Sequence, residues 1–203
     1  MNQCIFEKIG SHYDDLVARY GHSSSACDYG HPASQAAKFA VLSEVMPLDG
    51  KSLLDVGCGF ADYADYLLAK QSGLDYEGID LSQAMVAEAQ RLHPNLRILQ
   101  GNILIDWIDT YDVVSANGIF YLLGSDAPAI MRRIIEQMFN SARLAIAFNS
   151  LSDWTTDKEP NEYYADPLEV FDYCRTITPW VILRTDYHHR DFTIYMYKER
   201  KVL

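Results

Sequence analysis

From residue 51 onward, short apolar runs alternate with stretches whose apolar residues recur at helical spacing. No other feature narrows the possible folds as far. Parallel strands need a long crossover between them, normally a helix, so this pattern implies a parallel sheet with helices on its faces. Strands are expected at 52–56, 76–79, 96–99, 111–115 and 144–148. Helices are expected at 63–70, 83–92 and 126–139, with Ser82 and Asp126 as caps of the second and third. His93-Pro94 stops the second helix. The 111–115 run is almost wholly apolar, as suits a strand covered on both faces.

The end of the chain changes character. A helix is expected over 167–176, with Pro167 in its first turn. Two β-rich runs follow, 180–184 and 192–197, joined by a polar turn too short to hold a crossover helix. The expected fold is therefore α/β: a doubly wound seven-stranded sheet, mostly parallel, finished by a C-terminal antiparallel hairpin. Residues 1–50 lie outside the alternation, with helices expected at 6–20 and 33–45 and Ser23-Ser24-Ser25 as the loop between them. They are read as a helical cap over the carboxyl edge of the sheet, where open α/β sheets bind ligands. On that reading 1–203 is one domain, with 51–203 as its sheet core.

Composition enters where it limits function. Half the chain is apolar (49%), enough for a substantial core, and seventeen basic against twenty-eight acidic residues give a net charge of −11. Such a chain repels phosphate backbones, so nucleic acid is not an expected partner. Cys4, Cys27, Cys58 and Cys174 form no Cys-x-x-Cys pair, which argues against a zinc knuckle or a redox dithiol. His188 and His189 are adjacent and on a strand would face opposite sides, so no metal site is expected. No charged start followed by an apolar leader is visible, nor an apolar run long enough to span a bilayer. A reduced cytoplasmic setting, with no membrane partner, is the expectation.

The chemistry is concentrated in Leu53-Leu54-Asp55-Val56-Gly57-Cys58-Gly59-Phe60-Ala61-Asp62. Gly57 and Gly59 follow a buried strand and precede a helix, where residues without a Cβ allow a tight turn and a close ligand. Asp80 ends the next strand, 21 residues beyond Gly59. A carboxylate there can accept hydrogen bonds from both hydroxyls of a ribose. A dinucleotide fingerprint would need glycine at position 62, but Asp62 stands there and would repel a pyrophosphate. A nucleoside cofactor without phosphates, S-adenosylmethionine, avoids the conflict, and a nicotinamide-dependent oxidoreductase is disfavoured. Tyr197 and Lys201 match a Tyr-x-x-x-Lys pattern, but they sit on the expected last strand and are read as coincidence.

The stretches LLDVGCGFADYADYL, YEGIDLSQAM, QGNI and YDVVSANGIFYLL, covering roughly residues 51–123, resemble class I S-adenosylmethionine-dependent methyltransferases. The resemblance implies a Rossmann-like sheet, S-adenosylmethionine as cofactor, and roles for particular residues. Asp55 would support the methionine ammonium, and Gly57 and Gly59 would pass beside the methionine and ribose. Asp80 would hold the ribose hydroxyls, with Leu81 and Met85 flanking the adenine. Asn102, followed by Ile103, matches the position that reads the adenine amino group, here through an amide oxygen. Asn117 follows the fourth strand, where the family uses a backbone carbonyl to hold the ammonium. Lys38 would meet the methionine carboxylate.

The expected reaction is in-line methyl transfer to a small-molecule acceptor. Tyr13, Tyr20, Tyr121 and Tyr164 are the candidate acceptor residues, and Tyr29 and Tyr163 share their segments. Acceptor recognition is expected from 1–45 and 150–175. The stretch 153–169 carries six acids and one base, Lys158, suiting a wall for neutral or cationic molecules. His12, His22 and His31 are candidate bases, but no catalytic residue is assigned, and the oligomeric state is not read. Ala61 departs from the Gly-x-Gly-x-Gly of many relatives. Its methyl would narrow the methionine pocket, or cost about 1 kcal/mol if the backbone there takes a positive φ. Ala61 keeps open an alternative, a non-catalytic S-adenosylmethionine-binding protein.

Overall fold

A computed structural model of the chain describes residues 3–27 and 32–200. Two helices come first, α1 (Gln3–Tyr20) and α2 (Pro32–Ser43). Alternating elements follow: β1 (Ser52–Val56), α3 (Asp62–Leu68), β2 (Asp75–Asp80), α4 (Gln83–Leu92), β3 (Arg97–Gln100), β4 (Tyr111–Ala116), α5 (Ala127–Ser141) and β5 (Ala142–Leu151). The chain closes with α6 (Pro167–Ile177), β6 (Val181–Arg184) and β7 (Asp191–Tyr197). One seven-stranded sheet results, in the order β3-β2-β1-β4-β5-β7-β6. The first five strands pair in parallel, and β7 inserts antiparallel between β5 and β6.

Alternation along each strand splits the core in two. Leu53 points into a cluster with Leu42, Leu48 and Leu67, on the face covered by α2, α3 and α4. Leu54 and Val56 point into the other cluster, with Ile130, Ile134 and Met138 of α5 and with Phe148, Phe192 and Ile194. Central strands such as β1 and β4 are thus covered on both faces, which is why their runs read as nearly continuous rather than alternating.

The strand order reverses direction between β1 and β4, so the helices after these strands diverge and leave a crevice at their carboxyl ends. Helix α1 crosses that edge. Gly10 allows the crossing, because a Cβ there would approach Leu81 O to 3.0 Å. Asp14 of α1 then reaches the start of α4: its Oδ1 accepts from Ser82 Oγ at 2.6 Å and from Ala84 N at 2.9 Å. Ser82 Oγ itself accepts from Met85 N at 3.0 Å, so two amides of that helix end are satisfied.

Asp126 occupies the N-cap position of α5 but makes no side-chain cap bond. The residue two positions on is Pro128, which has no N–H to offer, and a 3-10 turn over Gly124–Asp126 leads into the helix instead. Strand β5 runs three residues past its expected end, because β7 pairs with it as far as Leu151↔Asp191. Tyr197 is spent on the fold, its hydroxyl donating to Val45 O at 2.8 Å.

A candidate active site at the carboxyl edge of the sheet

The turn after β1 is left-handed at three positions, with φ of +74° at Gly57, +55° at Gly59 and +64° at Ala61. A Cβ on Gly57 would fall 2.3 Å from Ile119 Cγ2, so the close approach of the two loops requires glycine. The turn is pinned to the next strand by Gly57 N and Cys58 N, which both donate to Ile79 O at 2.8 and 3.1 Å. Ala61 accepts the strained conformation and is fully buried, in the apolar cluster that also holds Ala64, Leu67 and Val86, and it does not line the crevice. It narrows nothing in the pocket, and only the backbone cost remains.

Asp80 sits at the mouth of β2 with both oxygens engaged. Oδ2 accepts from Gly59 N at 2.8 Å and Oδ1 from Ser82 N at 2.8 Å. Burial raises its pKa, and the amides of Ser82, Gly59 and Leu81 pull it back. Each carboxylate oxygen keeps a second lone pair, so the side chain is oriented without being used up. Asp55 lies deeper. Tyr76 donates to its Oδ2 at 2.7 Å and Ser115 to its Oδ1 at 3.3 Å, while burial pushes its pKa up to about 7.

A crevice of about 360 Å³ runs along this edge. Asp55, Gly57, Gly59, Asp80, Leu81, Met85, Asn102, Ile103 and Asn117 all line it, as do Lys38, Tyr13 and Tyr121. Its far end is built by Ser34, which the sequence does not single out, and by the 188–191 segment leading into β7, where the sequence reading considers His188 and His189 only as metal ligands.

Hydrogen bonds and exposure set what several of the expected residues can offer. Asn102 Oδ1 is taken by Leu104 N at 2.9 Å, and the buried Nδ2 has no partner. The unpartnered group of this side chain is a donor, suited to a ring nitrogen, while Oδ1 keeps one lone pair. Lys38 Nζ is paired with Asp191 Oδ1 at 3.0 Å, so its charge is already compensated from β7. Tyr20 is 54% exposed and is not a crevice residue. Tyr164 stands behind the wall, its hydroxyl bonded to Glu162 and to Arg190 Nη2. Tyr13 and Tyr121 do meet, hydroxyl to hydroxyl at 2.6 Å, joining α1 to the loop after β4.

The acidic 153–169 stretch contributes Asp157 and Glu162 to the lining, with Arg190 3.1 Å from Glu162. His22 lies 3.0 Å from Asp62, whose other oxygen accepts from Gln35 at 3.1 Å. His12 packs edge-on against the Tyr13 ring, and Tyr29 and His31 lie outside the described residues.

Two residues absent from the sequence reading fix loops at this edge, Asn149 the one after β4 and Asp14 the one after β2. Asn149 of β5 donates to Asn117 Oδ1 at 2.6 Å and accepts from Gly118 N at 2.7 Å. Its one signal is a polar side chain inside an otherwise apolar strand. Asp14 has none, since its partners lie some seventy residues on.

A family model described as "Methyltransferase domain" matches residues 54–159, the span that holds the glycine turn, Asp80 and the β4 loop. The chain belongs to the methyltransferase domain family. Rv1506c of Mycobacterium tuberculosis, a methyltransferase by name, is 33% identical over 158 residues, covering 74% of this chain and 95% of its own. Magnesium protoporphyrin IX methyltransferase from Synechocystis PCC 6803 with bound SAH superposes with a TM-score of 0.73 at 14% identity, covering 98% of this chain and 100% of that one. The DhpI-SAM-HEP complex gives 0.69 at 16% identity, covering 96% and 98%. These two likenesses speak for a shared fold, the class I methyltransferase sheet. The family's cofactor is S-adenosylmethionine, and methyl transfer is its activity.

Proposed function

We propose that the protein transfers a methyl group from S-adenosylmethionine to a small-molecule acceptor bound in this crevice. The observation that carries the reading is Asp80, a buried carboxylate held by two backbone amides beside the glycine turn. Its remaining lone pairs fit the two hydroxyls of a ribose. Leu81 and Met85 supply apolar surface for the adenine, and the unpartnered Nδ2 of Asn102 supplies a donor for a ring nitrogen. Gly57 and Gly59 leave room for the methionine chain, with Asp55 and the Asn117 turn beside its ammonium.

When bound, the cofactor supplies a methyl group already activated by its sulfonium. The protein's work is then to hold the acceptor in line and near attack distance, which accounts for much of the acceleration in such reactions. Tyr13 and Tyr121 border the place where the acceptor would lie. A crevice of about 360 Å³ is of small-ligand size, and the net charge of −11 weighs against a polyanionic acceptor. Asp62 stands at the start of α3, where a pyrophosphate would need open amides, which disfavours dinucleotides.

Titration calorimetry with S-adenosylmethionine and with NADH tests the cofactor, with micromolar binding expected for the first and no heat for the second. The opposite pattern overturns the reading. For the acceptor, methyl-labelled cofactor is added to a cell extract with the purified protein. Label is expected in the low-molecular-weight fraction. Label confined to protein or nucleic acid would exclude a small-molecule acceptor.

A further inference from the structure

Resting on that reading of the crevice, we propose that His188 is the general base of the reaction, oriented by Asp191, and that the acceptor presents a hydroxyl. His188 Nδ1 lies 2.7 Å from Asp191 Oδ2, and Nε2 lies 3.1 Å from Ser34 Oγ. Two unprotonated acceptors would repel at 2.7 Å, and this short contact outweighs the longer approach of Arg190 N to Nδ1 at 3.3 Å, so the proton of the neutral ring belongs on Nδ1 and Nε2 is an acceptor. The Nδ1 approach to Asp191 is close but off the line of a directed hydrogen bond. Asp191 is buried and divides its carboxylate between Lys38 on one oxygen and His188 on the other. Burial alone would raise its pKa, but His188 and Lys38 together hold it below the usual carboxylate range, so it stays charged.

The other basic groups of the crevice are committed. Asp55 is held by two hydroxyls, Asp80 by two amides, and Asp62 by His22 and Gln35. Arg190 faces Glu162 at 3.1 Å and Asp157 at 3.8 Å. His188 Nε2 differs from all of these because its partner is a serine hydroxyl, which an acceptor hydroxyl can replace like for like. Both Ser34 and His188 line the crevice, at the end away from Asp80 and the adenine-side residues. The groups around the ring are Ser34 and Lys38 from α2, Asp191 of β7, and Tyr187, His189 and Arg190 of the turn, with Asp157 beside the last two.

The step balances without a further reactant. The acceptor oxygen forms its bond to the methyl carbon, the carbon–sulfur bond breaks with its electron pair left on sulfur, and the hydroxyl proton passes to Nε2. Asp191 stabilises the resulting imidazolium, which returns its proton to water after product leaves. A positioned base of this kind contributes roughly 100-fold to 10,000-fold.

The test uses a panel of small alcohols and phenols with matched amines, scored by S-adenosylhomocysteine release from the wild type, His188→Asn and Asp191→Asn. Calorimetry with S-adenosylmethionine first establishes that each variant is folded and loaded. The wild type is expected to methylate hydroxyl members. His188→Asn should lower kcat about 100-fold or more at neutral pH, with partial recovery as pH rises. The loss should shrink for 4-nitrophenol, which is largely ionised beforehand. Asp191→Asn, a change at a positioning residue, should displace the lower limb of the kcat pH profile. Loaded protein that methylates only amines or no hydroxyl member overturns the proposal, as does an undiminished His188→Asn rate on a hydroxyl. Failure to bind S-adenosylmethionine at all would instead sink the cofactor reading beneath it.

Discussion

The two ends of the crevice are built in different ways. The end beside β2 is local in sequence: Gly57, Gly59, Asp80, Leu81, Met85 and Asn102 lie at or just past the carboxyl ends of the successive, adjacent strands β1, β2 and β3. The end beside β5 and β7 gathers Tyr13, Ser34, Lys38, Tyr121 and His188 from four separate stretches, with partners up to 154 residues apart. Local turns are dictated by backbone needs that any chain binding the same nucleoside must meet. The distant assembly is free to change one wall at a time, as befits the side that selects an acceptor.

That contrast can be broken most severely at Asp80. Asp80→Ala removes the proposed ribose acceptor and orphans the amides of Gly59 and Ser82. Calorimetry should show S-adenosylmethionine affinity reduced about 100-fold or more, on the order of 3 kcal/mol. Tyr121→Phe, at the other end, should leave that affinity within about threefold, since hydroxyl loss there touches the acceptor side. Equal losses in the two variants would erase the division.

Asp55 supplies the next effect, through protons. Its pKa is raised to about 7 by burial against an ordinary value of 3.8. Between those values the unfolded chain has lost the proton and the folded one keeps it, so stability falls as pH rises from about 4 to 7. Asp55→Asn should flatten that part of the melting-temperature profile. A methionine ammonium nearby would favour the carboxylate, so cofactor binding near pH 6 should release protons. Calorimetry in buffers of different ionisation enthalpy measures this, and no release would place the ammonium elsewhere.

Asp14→Ala removes an acceptor shared by Ser82 Oγ and Ala84 N. A loss of about 1–2 kcal/mol is expected, lowering the melting temperature by roughly 3–6 °C. Ala61→Gly gives the smallest change. It relieves a left-handed alanine at φ +64°, offset by glycine's chain entropy, for a net gain of about 0.5–1 kcal/mol. Cofactor affinity should not move, because Ala61 does not line the crevice.

The same division explains what can be read from the chain unaided. Strands 52–56 and 111–116 are legible because both faces are covered, and α4 is legible because Ser82 and His93 mark its ends. The nucleoside end is legible because glycines and a strand-terminal acid sit at fixed offsets. Asn102 shows the limit: its residue type offers both an oxygen and an amide nitrogen, and only the folded chain shows that the oxygen has a partner in Leu104 N and the nitrogen has none. Lys38, Tyr20 and Tyr164 lie in the right segments, yet their placement depends on Asp191, solvent and Arg190, respectively. His188 reads as one of a useless adjacent pair until α2 brings Ser34 against it.

The most direct measurement is a crystal structure grown with S-adenosylhomocysteine. The ribose hydroxyls should lie within hydrogen-bond distance of both Asp80 oxygens, with the amino-acid end beside Gly57 and the open side toward His188. A nucleoside bound elsewhere, over a crevice closed by Ile119 and Phe60, would contradict the account.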